Sequence, residues 1–474
     1  MSWTSPHTIR EQVLEVELNG SESDGLLLQR SLPTLFTQGL LPAIERALDR
    51  CAPEQGFATI ERVDIDVGSM ASDRLEHDLP QAVMLALEKE LIDQMVRHKG
   101  TGAVSPARHG YRRKTTQQML DEALAYFLNT GSLPSSWYLP QDETFEKILL
   151  SAWREAEETG VSLSDAGSVL AGALDSEAGR ERLTLQFSTE FLFALLARLS
   201  PKGAKTMEGI LAAIRRTSLP ASDVKAVERQ LWKRLFTHVV TDGVIAPRVL
   251  VEETTHFLPA DAAGRGRAIL ADLLERQWRD GGSIDFPLVK PIEPARPGKA
   301  EIESTVHPQA KEGIFINNAG LVLLHPFLGR FFEGLDVAAG PRLLQPVRAL
   351  HLLHYLSSGL TPAVEYELAL PKILCNWPLT KPVEAGLELR ASEKDEAVAL
   401  LEAVIAHWTA LRNTSPDGLR EAFLLRAGKL SLHDGDWLLQ IESRTIDILF
   451  NQLPWGISMI KLPWMNKVLA VEWG

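Results

Sequence analysis

Pro287, Pro291, Pro294, Pro297 and Pro308 crowd the stretch from Gly281 to Glu312. Proline fixes φ and removes an amide donor, so this stretch cannot join its flanks into one helix. It reads as an extended linker. With 27 prolines and 33 glycines in 474 residues, a single continuous helix is excluded for the whole chain. The chain has to fold as several bodies, and its length suits roughly three domains of about 150 residues. Hydrophobic residues make up 45% and charged residues 23%, enough to bury cores without global disorder.

The first hundred residues read as mixed α and β. Leu14, Val16 and Leu18 alternate with Glu15 and Glu17, and Val63, Ile65 and Val67 alternate with Asp64 and Asp66. Both are period-2 signals for half-buried strands. Between them, Leu26–Leu35 and Leu40–Leu48 are amphipathic, with Pro33 and Pro42 marking breaks or helix starts. Leu75–Val96 reads as a long helix, with Leu79, Val83, Leu87 and Leu91 four apart. Lys99–Arg113 is basic, glycine-containing and weakly periodic, a solvated linker with the option of an acidic partner.

From Thr115 the pattern turns helical. Thr115 and Gln118 have capping-box spacing, Met119, Ala123, Leu124, Phe127 and Leu128 share a face, and Gly131 and Pro134 end the helix. Further helices are expected at 143–158, 180–199, 205–217, 222–240 and 261–279. Without clear alternation, the middle reads as all-helical. The final domain starts near Gly313. It holds an apolar run Leu321–Phe332 interrupted by Pro326, a buried helix over Ala349–Leu356, and a helix over Glu393–Leu411. Ser415 and Pro416 form an N-cap and N1 pair. Leu430–Leu432 and Trp437–Ile441 flank the turn signal His433-Asp434-Gly435-Asp436, and Ile457–Ile460 and Val468–Val471 read as short strands. The expected fold is mainly α with small α+β elements at both ends. The segments are 1–98 (α+β), 99–114 (basic linker), 115–280 (all-helical), 281–312 (Pro-rich linker) and 313–474 (helical, ending in short strands).

Charge and motifs narrow the chemistry. The formal net charge of −13 lacks the basic footprint of a nucleic-acid binder and does not suit an anionic membrane surface. No apolar run approaches the roughly 20 residues that span a bilayer, and the N-terminus carries no secretory pattern. Two cysteines, Cys51 and Cys375, suit a reducing compartment. Phosphate-loop, zinc-hydrolase, nucleophile-elbow and C-x-x-C signatures are absent, so no catalytic, cofactor or metal residue is assigned. Gly264-Arg265-Gly266 lacks the context of a phosphate loop. Glu15/Glu17 with Asp64/Asp66 offer carboxylates to a hard cation, but the wet face of a sheet is the favoured reading. His351 and His354 stand three apart, within metal-ligand reach on a helix, yet nothing nearby completes a set and structural histidines are favoured. Cys375 reads as a buried small hydrophobe. Of the 11 tryptophans, six follow residue 374: Trp377, Trp408, Trp437, Trp455, Trp464 and Trp473. They serve either as core or as partner anchors.

Three phrases in the last third are distinctive: Ile314-Phe315-Ile316-Asn317-Asn318-Ala319-Gly320-Leu321-Val322-Leu323-Leu324-His325-Pro326-Phe327-Leu328, then Asn413-Thr414-Ser415-Pro416-Asp417-Gly418-Leu419-Arg420-Glu421-Ala422-Phe423-Leu424, and Leu453-Pro454-Trp455-Gly456-Ile457-Ser458 with Leu462-Pro463-Trp464-Met465 and Val471-Glu472-Trp473. Together with His7-Thr8-Ile9, Leu28-Gln29-Arg30, Val63–Gly68 and Phe127–Pro134, they resemble the contractile injection system tape measure family. In that family tryptophan tends to follow the proline of the last phrase, whereas Ser135 and Ser136 precede Trp137 here. The resemblance implies a non-enzymatic structural component of a phage-tail-like particle that sets tube and sheath length. It implies the inner tube, baseplate hub and terminal cap as partners, contact with effector cargo, and a place in the cytoplasm during assembly and then in the particle lumen. Phe327, Trp455, Trp464 and Trp473 are the expected partner-binding residues. One continuous helix of this length would reach about 700 Å. A folded domain spans only tens of ångströms. The alternative reading is therefore a compact adaptor or chaperone for tube or cargo loading. An enzyme with an unrecognised site is disfavoured by the missing motifs.

Overall fold

The computed structural model describes residues 7, 9, 12–53, 57–60, 62–99, 111–134, 137, 139, 143–159, 166–215, 220–241, 244–245, 249–250, 284–285, 313–433 and 435–473. The chain divides into two compact units, one of residues 1–120, 136–145 and 151–160 and the other of 121–135, 146–150 and 161–474. The protein is mainly helical, with small β elements.

In the first unit, α1 (Glu22–Leu35) starts at an N-cap Ser21 with a reciprocal bond to Asp24. Helix α2 (Leu41–Cys51) begins with Pro42 in its first turn, where no amide donor is needed. Pro33, read as a break or a helix start, lies inside α1. A π-turn follows at Phe36–Leu40, and the Thr37 hydroxyl donates to the Pro33 carbonyl at 2.9 Å. Helix α3 (Leu75–Lys99) presents Leu79, Val83, Leu87 and Leu91 to Leu35, Leu40, Ile44 and Ala47, so the four-apart series forms the core seam.

The strands differ from expectation. Leu14–Leu18 and Val63–Val67 lie outside any sheet. The ladder instead joins β1 (Phe57–Ile60) to β2 (Tyr111–Lys114), antiparallel, at the end of the segment read as a basic linker. Alternation shows that a segment can form a strand, but a ladder also needs a neighbour in register. Helix α4 (Thr116–Thr130) opens on the Thr115/Gln118 box, with both reciprocal bonds at 3.1 Å. It closes at Gly131, whose φ of +81° lets its amide reach the Phe127 carbonyl at 2.7 Å. Helix α5 spans Phe145–Thr159.

The second unit carries α6 (Ala166–Asp175), α7 (Glu177–Gln186), α8 (Thr189–Leu199), α9 (Pro201–Arg215) and α10 (Ala221–Thr241). The helix expected over 180–199 is two helices. Ser188 caps α8 by accepting from the Phe191 amide at 3.2 Å, which interrupts the spiral between them. Helix α6 was not anticipated, and the 261–279 pattern lies outside the described residues. The middle region was read without strands, but Val244–Ile245 (β3) pairs with Ile284–Asp285 (β4).

Beyond Gly313 come β5 (Ile314–Ile316), a 3₁₀ turn Ala319–Leu324, α11 (His325–Gly334), the short hairpin β6 (Ala338–Ala339) and β7 (Arg342–Leu343), α12 (Pro346–Ser358), α13 (Ala369–Leu374), α14 (Ala391–His407) and α15 (Pro416–Leu419). Gly359, at φ +71°, ends α12 in the left-handed region. Ser415 caps α15 as expected, accepting from the Gly418 amide at 3.1 Å, and a π-turn over Arg420–Leu424 follows. Strands β8 (Gly428–His433), β9 (Asp436–Ile441), β10 (Met459–Ile460) and β11 (Leu469–Trp473) join β5 in one sheet of order β10-β11-β9-β8-β5. Only β11 and β9 run parallel within it. The expected hairpin is present, and Gly435 takes φ +92° at its turn. Of the apolar face expected on α14, Leu401, Val404, Trp408 and Leu411 are buried in the core shared with this sheet, and Ile405 packs against it half-buried.

Candidate docking surface of the C-terminal body

The three distinctive phrases pack into one another. Gly320, from the first, is buried against the backbone of Phe423, from the second, and a Cβ at that position would overlap the Phe423 carbonyl oxygen. The Ala319 amide donates to the Arg426 carbonyl at 2.9 Å, just past the second phrase. Trp455, from the third, donates its indole N–H to the Leu323 carbonyl of the first at 3.1 Å. The side-chain amide of Asn318 donates to the Glu367 carbonyl at 2.9 Å. Here the residue types follow from sterics and hydrogen bonding, because a glycine is the only residue that permits that backbone approach.

The expected anchors fall into separate settings. Phe327 and Trp455 come together, half-buried, with ring centroids 5.3 Å apart in an edge-to-face arrangement, and His407 stands 5.6 Å from Phe327 on a second side. Trp464 is 7% exposed, leans on Phe332, and gives its indole N–H to the Leu374 carbonyl at 2.8 Å. It is a core residue with its polar atom satisfied. Trp473 is half-buried, 4.5 Å from Phe450, and donates to Asp447 at 3.1 Å beneath the Arg426 guanidinium. Phe450 also stacks on the fully buried Trp408, whose N–H reaches the Leu449 carbonyl at 3.3 Å. Phe327 and Trp455 therefore form the one expected pair with direct ring contact and partial exposure.

A buried ionic cluster escaped sequence reasoning altogether. Glu365 is wholly enclosed between the Arg182 guanidinium, 3.0 Å away, and the Lys372 ammonium, 2.6 Å away. Arg182 comes from α7 and also donates to the Leu128 and Thr380 carbonyls. Lys372 from α13 donates to the Leu379 and Lys381 carbonyls at 2.8 and 3.0 Å. Burial pulls the Lys372 ammonium down from its usual range, and Glu365 works against that pull. Around the cluster, Gln186 accepts from the Glu365 amide and donates to the Val383 carbonyl, the Ala385 amide donates to the Leu185 carbonyl, and Arg229 pairs with Glu384. Within the second unit, α7 and α10 thus meet residues beyond Gly313 across a polar seam. Its one sequence cue was Lys372 standing alone inside the apolar run Leu368–Cys375.

A family model described as contractile injection system tape measure protein matches residues 6–473. The chain belongs to that family. No curated protein and no solved structure gives a match. For a tape measure family member the role is structural, in particle assembly, and the three phrases that carried the resemblance are the ones that interlock in the core. No described helix is long and apolar enough to cross a membrane.

The residues weighed as chemical candidates have structural surroundings in this family member. The His351 ring nitrogen Nε2 meets the Glu384 carbonyl at 2.7 Å, and His354 Nε2 meets the Glu367 carboxylate at 2.6 Å. Among the described residues, no three His, Cys, Asp or Glu side chains converge as a metal set. Glu15, Glu17, Asp64 and Asp66 lie exposed on non-strand backbone. Cys375 is buried, and burial pushes its thiol far above the ordinary range, which suppresses the nucleophilic thiolate. Burial also lowers His351 and His325 below the ordinary histidine value. The neutral ring is then the folded form, while the unfolded chain takes up protons more readily below about pH 6.5. Stability from these groups is complete above that pH and declines as pH falls toward their folded values. Denaturant melts at pH 7 and pH 5.5 should show a loss at the lower pH that is smaller in His351→Gln than in the wild type.

Proposed function

We propose that this chain sets tube and sheath length from within the particle, with residues 313–474 as the folded docking body and the helices upstream as the length-bearing part. On this reading the body contacts the inner tube and baseplate hub, and the terminal cap as assembly ends. Effector cargo meets the chain in the lumen. The protein is cytoplasmic until the particle is complete. It uses no cofactor, metal, catalytic group, nucleic acid or membrane. The division into 1–98, 99–114, 115–280, 281–312 and 313–474 belongs to the same proposal. The observation that supports it is the interlock of the three phrases, which makes the C-terminal body a tightly specified unit able to present a fixed face. Phe327 and Trp455 are the proposed contact on that face. Trp473 flanks them in the proposal, and Trp464 serves by holding the core beneath.

A second reading has its own support. The longest described helix has 25 residues, about 38 Å, and each unit closes a core of its own. A chain kept in that state is an adaptor that holds tube subunits or cargo, rather than a ruler. Particle length separates the two. Deleting residues 115–280 in the producing cell should yield particles shortened in proportion, measured by electron microscopy. Assembled particles of unchanged length would retire the ruler and leave the adaptor.

A further inference from the structure

Helix α3 carries apolar side chains on two opposite sides. Leu79, Val83, Leu87 and Leu91 line the inward side, in the core of the first unit. Leu85, Ile92 and Val96 fall on the outward side and are 53%, 51% and 63% exposed. Lys89 stands among them, exposed as well. A surface helix ordinarily buries one stripe and turns a polar face to water. Here the outward positions 85, 89, 92 and 96 step by four, three and four, the spacing of a seam between two packed helices. Ala82, three residues before Leu85, continues that spacing with a side chain small enough for close approach. The outward side of α3 thus has the pattern of a face that a second helix covers.

Lys89 and its neighbours identify the occupant. A single lysine at a seam position costs stability but fixes register and the number of helices that pair. Against a parallel second copy, Lys89 would face Lys89, and the two ammonium groups would repel. In an antiparallel pair the order reverses, so Leu85 meets Val96 and Lys89 meets Ile92, each contact made twice. Asp93 is exposed next to Ile92. The Lys89 stem can therefore cover Ile92 of the second copy while its ammonium reaches the Asp93 carboxylate there. Such a contact is self-complementary and closes at two copies. We propose that α3 packs antiparallel against α3 of a second copy of this chain, making the protein a dimer through Leu85, Lys89, Ile92 and Val96. The inference holds whether the chain acts as a ruler or as an adaptor.

The test is sedimentation equilibrium of the full chain. From about 1 μM to about 100 μM the molar mass should rise toward twice the monomer value. Ile92→Glu, at an exposed position, should keep its circular dichroism and stay monomeric over the same range. Lys89→Leu removes the cost of the seam lysine and should lower the dissociation constant about tenfold. Should Ile92→Glu fail to fold, Lys89→Glu takes its place, since it sets a carboxylate against Asp93 of the second copy and should weaken the pair. The proposal is overturned if the full chain stays monomeric throughout, or if it pairs with a dissociation constant that either substitution leaves unchanged. Assemblies larger than two copies would overturn it as well.

Discussion

Gly320→Ala should unfold the C-terminal body or cost it more than about 3 kcal/mol, the upper range for overpacking a buried site. The added methyl would point into the Phe423 carbonyl oxygen, with the Phe423 carbon and the Leu424 Cα close behind. These are backbone atoms of the π-turn Arg420–Leu424, so no side chain can swing aside. The turn cannot retreat cheaply either. The Ala319 amide bonds to the Arg426 carbonyl, and Arg426 is fully buried with bonds to Ala422, Glu442 and Asp447. A control sits nine residues on: Gly329 lies inside α11, and a Cβ there meets nothing within 4 Å. Gly329→Ala should stabilise by roughly 0.5–1 kcal/mol, because alanine favours the helix over glycine. Urea titrations followed by tryptophan fluorescence would compare the two variants. Equal midpoints for Gly320→Ala and wild type would mean that the first and second phrases do not meet as described.

The pair of glycines also marks what can be read from sequence. Both stand in an apolar stretch with nothing local to separate them, since the difference lies in a partner a hundred residues away. Local rules did succeed where their cause is local. The Thr115/Gln118 box, the Ser415-Pro416 start and the turn around Gly435 each depend on neighbours within four residues. The core stripe of Leu79, Val83, Leu87 and Leu91 was legible because a helix repeats its own face. The strands Leu14–Leu18 and Val63–Val67 failed because pairing is a property of two segments. The break between Gln186 and Thr189 was missed because apolar periodicity persists across it while Ser188 resets the backbone. For the proposed docking surface, composition drew attention to the late tryptophans. It could not separate Trp464, whose N–H is spent on the Leu374 carbonyl inside the core, from Trp455 at a half-exposed edge.

The ionic cluster was the least legible feature, and its removal is the second large expected effect. Glu365→Gln keeps the shape and deletes the charge, leaving the Arg182 and Lys372 cations buried side by side without a counter-ion. Breaking a buried pair by removing one partner costs about 3–5 kcal/mol. Lys372→Met should cost less, because Arg182 still neutralises Glu365, although the Leu379 and Lys381 carbonyls lose their donor. The double variant Glu365→Gln/Lys372→Met should be more stable than Glu365→Gln alone, since one of the two stranded cations is gone. Additive losses in this double-mutant cycle would show that Glu365 and Lys372 are not coupled. The cluster also bears on function. A seam held by ions and carbonyl bonds gains little net stability over an apolar one, because desolvation offsets most of the Coulomb attraction. Water re-solvates every group once it opens. For a chain proposed to bear length in its middle helices, such a seam lets those helices part from an intact C-terminal body. Hydrogen exchange of Glu365→Gln should then accelerate first along 177–186 and 365–385 while β8 and β9 stay protected. Simultaneous loss of protection in the sheet would mean that the helices and the body open only together.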